Sequence, residues 1–459
     1  MLTIKCKHQS EEILYVLDIV FNIFLGIDYI FEYSNISDIE INCSASKKTL
    51  MIKSCFFDTI KKDLLNSKIM PKEPLDIWKI QDSNLSSRLT DKNIPVLFGK
   101  KGFQYSKENI VLNIDIFASL FFMLSRYEEV IIKTRDNHDR FPATASIAYK
   151  ENFLHRPIVD EYVEILWFLM HQLWPLLSRK KRIGKIQVSC DVDAPYSPAI
   201  KRLSAVARQS VGDIVKRKSI TLAIKTLINP VATFFGNDRL DSYNTFDWIM
   251  DVNEKAGNKV AFYFISGSLA GDIDGCYTLK EKRIQALMQK IHHRGHEIGL
   301  HGSYNTYNNP EQLKKEMCKL KETMQILEIH QKEIGSRQHF LRWKASETAS
   351  HLESIGIRYD TTLSFADQPG FRTGTCHEYP MYDLIQRRRL NLIQRPLIVM
   401  ECSIIASRYM GLGYTNAAME MFLSYKKTCQ QFNGNFALLW HNSHLTTQND
   451  RIFYKKLIN

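Results

Sequence analysis

Four short stretches of this chain carry residues that could do proton and metal chemistry together. The first is Cys190-Asp191-Val192-Asp193-Ala194-Pro195, directly after an apolar run, Ile186–Ser189. Carboxylates at i and i+2 on an extended backbone point to the same side, so Asp191 and Asp193 can reach one site. Two close like charges raise one pKa unless a cation intervenes; with one carboxylate on a metal, the other is free as a base. The second is Gly295-His296-Glu297-Ile298-Gly299-Leu300-His301-Gly302-Ser303-Tyr304-Asn305, in which a short strand delivers His301 onto a Gly-bearing loop. Histidine is the commonest zinc ligand, and a carboxylate often completes its site. The third runs from Gly335 to Trp343 and holds Arg337, His339 and Arg342; the fourth, Leu438–Asn442, is an apolar run ending in His441. Taken singly, each is as readily a loop carboxylate or a core histidine. His292 and His293 sit at a helix end, where the dipole favours them, and His296 packs at a strand start.

What joins the clusters is the pattern that positions them. From residue 186 strand-like runs alternate with amphipathic helices: Ile186–Ser189, Lys259–Ile265, Glu297–Leu300, Gln338–Leu341, Leu397–Glu401 and Ala437–Trp440, with helices such as Leu279–His293 and Pro310–Leu327 between. This predicts an α/β fold, a parallel sheet closed or nearly closed into a (β/α) barrel with the clusters at its C-terminal strand ends. The basic stretch Ser178–Lys185 marks a boundary, giving a smaller α/β N-terminal domain over 1–185 and the barrel over 186–459. The N-terminal part shows strand-like runs at Ile39–Cys43, Thr49–Ile52 and Pro95–Phe98, and helices over Ile114–Tyr127 and Val159–Leu177. Residues 13–31 are apolar, but Asp18, Asn22 and Asp28 interrupt them at a cost the lipid core does not forgive, which predicts a buried helix. Residues 200–235 form a basic helical insertion with interleaved apolar residues, able to lie on a membrane surface or touch a lipid-linked glycan.

Composition narrows the classes. The 459 residues carry 61 Lys and Arg against 49 Asp and Glu, a formal charge of +12. That surplus comes with no recognition helix, zinc-finger spacing or RNA-binding signature, so a nucleic-acid partner is not expected. Nine scattered cysteines without a C-x-x-C pair fit free thiols and a cytoplasmic protein.

In order and spacing the four clusters resemble the NodB-type polysaccharide deacetylases, carbohydrate esterase family 4. Gly295-His296-Glu297-Ile298-Gly299-Leu300-His301 is the most specific piece of a likeness covering roughly residues 186 to 445. More closely, the chain is similar to a bacterial branch found with surface-polysaccharide biosynthesis, on Asp115–Glu129, Arg140–Pro142, Arg156–Asp160, Tyr359–Thr362, Gly370–Arg372 and Leu439–Asn442. The resemblance implies a distorted NodB-type barrel and metal-dependent removal of an N-acyl group, acetyl above all, from an amino sugar or its nucleotide- or lipid-linked precursor. It implies Asp191 as base, oriented by Arg337, His441 as general acid, and zinc or another divalent transition metal on Asp193 and His301. Most members carry a second metal-binding His four residues after the first; here Asn305 stands there, so the third ligand is Asn305 or His339. Ser303, Tyr304, Arg342, Trp343 and Asn442 flank these positions as candidates to bind substrate. The alternative is an inactive glycan-binding or scaffolding barrel that has lost its metal.

Overall fold

A computed structural model describes residues 1–7, 9–60, 64–106, 108–215, 217–235, 237–267, 270–275 and 277–459. The first 114 residues supply eight strands: β1 (Leu2–Cys6), β2 (Tyr29–Tyr33), β3 (Ile39–Cys43), β4 (Thr49–Ile52), β5 (Asp76–Lys79), β6 (Asn93–Val96), β7 (Gly99–Tyr105) and β8 (Asn109–Ile114). Six form a mixed sheet in the order β2-β1-β3-β4-β8-β7, while β5 and β6 pair apart. Every second residue of β3 and β4 is buried, the period-two signature that made both legible.

Three expectations for this region change at their ends. The apolar stretch 13–31 is helical only to Leu25, as an α-helix (Glu11–Asp18) continued by a π-helical turn. Gly26 in the left-handed region stops it, and Tyr29–Tyr33 turns into the edge strand β2. The helix expected over Ile114–Tyr127 spans Ile116–Leu124. Asp115 caps it through Ala118 N, and Arg126 at φ 56° breaks it before a second turn, Tyr127–Ile131. The helix after Pro157 runs Ile158–Leu173 and stops before Trp174, because Pro175 disfavours helical backbone in the residue ahead of it.

The second sheet has nine strands: β9 (Ile186–Val192), β10 (Val260–Ile265), β11 (Glu297–Gly302), β12 (Gly335–Gln338), β13 (Tyr359–Asp360), β14 (Tyr379–Asp383), β15 (Arg388–Gln394), β16 (Val399–Met400) and β17 (Phe436–Leu439). Their order is β14-β15-β13-β12-β11-β10-β9-β17-β16, parallel throughout except for the β14–β15 pair. Without β14 this is chain order read around a ring, with the ladder open between β15 and β16 among the described residues. The fold is therefore α/β, with helices between consecutive parallel strands. In the helix Lys282–His293 the buried residues are Ile284, Leu287, Met288 and Ile291, one face at helical spacing.

Two strands lie elsewhere than the sequence pattern suggests. β12 ends at Gln338, and the apolar residues Phe340 and Leu341 belong to a turn with positive φ at both. Val399–Met400 is only two residues long because Glu401 already starts a helix. β13, β14 and β15 have no counterpart in the sequence reading: β13 is two residues, and β15 turns Arg389 and Asn391 outward. The glycine within Glu297–His301 is dictated by packing, since a Cβ on Gly299 would lie 2.5 Å from the Tyr263 ring and 2.6 Å from the Gly335 carbonyl oxygen.

The two sheets are welded together. The apolar cluster around the first takes in Phe365, Tyr379, Tyr382 and Leu384 from the second half. Buried Arg372 grips Glu129 with two nitrogens, at 2.8 and 2.6 Å, and Arg126 adds a third contact at 2.8 Å.

Candidate active site

The ends of the parallel strands bring three ligand-type side chains to one point. Asp193 follows β9, His301 is the penultimate residue of β11, and His339 follows β12. Asp193 Oδ1 lies 3.1 Å from His301 Nε2 and 3.6 Å from His339 Nε2. Behind each imidazole stands an acceptor: the Arg337 carbonyl, 2.9 Å from His301 Nδ1, and Asp274 Oδ1, 3.2 Å from His339 Nδ1. Such partners fix the ring so that the other nitrogen faces the site, as they do for metal-ligating histidines. Burial opposes a charge on His339, yet the carboxylates of Asp193 and Asp274 carry its pKa up to about 9. Asp193 is likewise held well below the usual carboxylate range, against burial, by His339, His301 and His441.

Asp191, inside β9 and buried, flanks this trio, its Oδ2 3.8 Å from His301 Nε2. Its other oxygen is 3.5 Å from Arg337 Nη1. Arg337 is itself buried, and is anchored by Ser189 Oγ at 2.9 Å and Thr361 Oγ1 at 3.2 Å. On the opposite flank His441 Nε2 lies 3.5 Å from Asp193 Oδ2. Its Nδ1 is 2.5 Å from Glu401 Oε1, an oxygen also 2.8 Å from His444 Nδ1. Burial would lower His441, but Glu401 and then Asp193 lift it to about 10.

Among the described residues, three groups of side chains have ligand atoms close enough to share a metal: Asp193–His301–His339, Glu401–Cys402–His441–His444 and Asp160–Cys376–His377. They differ in what is already satisfied. The first contains two buried ligand atoms with no hydrogen-bond partner, Asp193 Oδ1 and His301 Nε2, beside the equally unpartnered Asp191 Oδ1 and Arg337 Nη1. The second has one such atom, Glu401 Oε2, and the third none. Buried polar atoms without partners are costly, and a cation between them removes the cost. The donor set of one carboxylate and two imidazoles fits zinc or a similar ion.

Several predicted residues face elsewhere. Asn305 is exposed and its Oδ1 accepts a hydrogen bond from Arg342 Nη1 at 3.1 Å; the side chain that stands with Asp193 and His301 is His339. Ser303 is turned to the buried Glu316 by both its amide and its hydroxyl. Trp343 is buried in the apolar core of the second sheet. Asn442 is fully buried and donates to the carbonyls of Ala194 and Tyr243. Arg342 lies between the rings of Tyr304 and Tyr307 and donates to the His138 carbonyl at 2.7 Å, while the Tyr304 hydroxyl meets His138 Nδ1 at 2.9 Å. None of these six lines the cavity of about 270 Å³ that opens beside Asp193, His339 and His441. Its walls include Tyr196, Ser197, Arg283, Phe340, Arg408 and His444.

Asp274, Glu401 and His444 escaped the sequence reading. Asp274 ends a single 3-10 turn, Gly271–Asp274, with no sequence pattern around it. Glu401 had a signal, a carboxylate ending the apolar run Leu397–Met400, as His441 ends its own.

The N-terminal part matches one family model, over residues 2–175, described as a family of unknown function, DUF7033. No curated protein matches the chain. Among solved structures it is similar to a protein described as a polysaccharide deacetylase from Mycobacterium smegmatis, at 14% identity and a TM-score of 0.38, covering 61% of this chain and 84% of that one. It is similar also to Puue allantoinase, at 12% identity and a TM-score of 0.32, over 46% of this chain and 65% of the other. Both likenesses are remote.

Proposed function

We propose that this chain is a metal-dependent amide hydrolase with a NodB-type barrel, removing the N-acetyl group from an amino sugar used in bacterial surface polysaccharide synthesis, in the cytoplasm. One observation carries the reading: Asp193, His301 and His339 converge with unpartnered ligand atoms between a buried Asp–Arg pair and a buried Glu–His pair. A zinc or similar ion held by that trio would supply Lewis-acid charge to the acyl carbonyl and acidity to the attacking water.

The remaining work falls to the chain's own side chains. Asp191 takes the proton of the attacking water at Oδ2, the oxygen that faces His301, while Arg337 beside Oδ1 keeps the carboxylate aimed. His441, on the far side of Asp193, carries a proton on Nε2 and delivers it to the departing amine nitrogen. Glu401 accepts the hydrogen bond from His441 Nδ1, which stabilises the imidazolium until that transfer. The cavity wall mixes aromatic faces, Tyr196 and Phe340, with the cations Arg283 and Arg408, suited to a sugar ring bearing a phosphate. Against the rival reading, a barrel that lost its metal with the second histidine, stands His339, a second imidazole 3.6 Å from Asp193.

The test is acetate release from N-acetylated oligosaccharides and nucleotide-linked amino sugars, together with the metal content of the purified chain. Asp191→Asn is expected to lower kcat by about 10² to 10⁴ while the metal stays bound. Full turnover in that variant, or no bound metal after reconstitution with zinc, cobalt or nickel, sinks the proposal.

A further inference from the structure

We infer that the helical hairpin over residues 203–234 is a docking face for an anionic lipid surface. Its two helices, Leu203–Val215 and Ile220–Phe234, pack against each other, but the faces they share are unusual. Their buried residues are Ser210, Asp213, Thr226 and Asn229 beside only three apolar ones, Val206, Leu222 and Ala223. Asp213 accepts a hydrogen bond from Thr226 Oγ1 at 2.6 Å and pairs with Arg217, while Asn229 Nδ2 donates to Asp241 at 2.9 Å.

The large apolar side chains point the other way. Ile224, Leu227, Ile228, Val231 and Phe234 recur at helical spacing on the outer face of the second helix, with Leu227 56% and Phe234 85% exposed. Val211, Ile214 and Val215 of the first helix are exposed as well. A hairpin that buries four polar side chains and leaves most of its large aliphatic ones outside departs from the arrangement that water selects. An exposed apolar patch of this kind marks a surface that something covers.

Charge decides what covers it. Across residues 200–235, Asp213 is the only carboxylate, and it is buried and paired with Arg217. Arg202, Arg208, Lys218 and Lys225 are all exposed. An apolar face with a purely cationic rim is complementary to acyl chains beneath anionic headgroups, and that is how helices lying in a membrane interface are built. Neither helix is long and apolar enough to cross a bilayer, so the contact is peripheral.

The hairpin is also tied to the site. Ser197, on the cavity wall, donates its amide to both oxygens of Asp241 at 3.1 Å and its hydroxyl to Gln209 at 2.9 Å. A lipid surface on the hairpin therefore lies next to the cavity mouth. Resting on the proposed function, this favours an amino sugar carried on a lipid, although the docking itself is read without any turnover.

The experiment is flotation of the full chain with vesicles of phosphatidylglycerol and phosphatidylcholine, beside phosphatidylcholine alone. The chain is expected to float with the anionic vesicles, less so as salt rises, and to stay behind with the neutral ones. The double variant Leu227→Glu/Val231→Glu should lower the partition tenfold or more, and Lys218→Glu/Lys225→Glu by about tenfold. Because all four positions are exposed, unchanged circular dichroism and melting certify the fold. Equal flotation of the Glu variants, or no flotation of the wild type, overturns the inference. So does a dimer in light scattering that Leu227→Glu dissociates without any vesicle binding, which would assign the face to a second copy.

Discussion

His301 Nδ1 lies 2.9 Å from the main-chain oxygen of Arg337, its register partner on the adjacent strand. To use that acceptor the ring must carry a proton on Nδ1, which turns Nε2 towards Asp193. Strand pairing thus sets the chemistry of the ligand atom as well as its position.

It follows that metal should depend on the residues gathered around Asp193 and be indifferent to the sequence neighbour Asn305. His301→Ala and His339→Ala are expected to purify without a stoichiometric divalent ion, while Asn305→Ala keeps it; elemental mass spectrometry decides. Asp274→Asn, which loosens the support of His339, should weaken metal affinity by roughly 10- to 100-fold. Full loading of His339→Ala would show that another group ligates.

Glu401 acts through His441, so its removal should be felt in turnover. Glu401→Gln is expected to lower kcat on the order of a hundredfold with KM and metal content little changed, and Glu401→Asp to recover part of the loss. Steady-state kinetics beside metal analysis separates this from a folding defect, which would lower metal content in proportion to kcat.

The buried Glu129–Arg372 pair predicts an acid limit to stability. Burial alone would raise the Glu129 pKa, but Arg372 and Arg126 hold it down at about 2, against 4.5 for an ordinary glutamate. A carboxyl depressed in the folded state contributes fully above its unfolded pKa and is lost as pH falls through the folded one. Denaturant midpoints should therefore decline from about pH 4.5 towards 2. Arg372→Ala should cost about 3–5 kcal/mol at neutral pH, because Glu129 stays buried with less compensation.

Gly299 offers a packing test. Gly299→Ala puts a methyl group against the Tyr263 ring and the Gly335 carbonyl, and should destabilise by about 1–3 kcal/mol in urea unfolding. A neutral result would mean that β10, β11 and β12 can spread.

The sequence made the parallel strands and their end residues legible, because buried parallel strands are short apolar runs and Asp193, His301 and His441 stand where such runs stop. It was less informative where geometry depends on distant partners. The apolar pair Phe340–Leu341 reads as strand, yet both residues take positive φ and throw His339 inward. Asn305 occupies the expected place in the chain but bends outward to Arg342. Ser303, Trp343 and Asn442 lie next to reactive residues in sequence, and strand alternation or core packing turns them away. The segments Asp115–Glu129 and Gly370–Arg372, notable only as a resemblance, meet at the Glu129–Arg372 contact.

Arg140, from the first half, donates from Nη1 to the carbonyl of Phe340 at 3.0 Å, next to His339. The turn that aims His339 is thus clamped by a residue 200 positions upstream in the chain. The second half is consequently not a portable cassette. Moved without the first it would keep Asp193, His301 and His339 and lack the brace behind one of them.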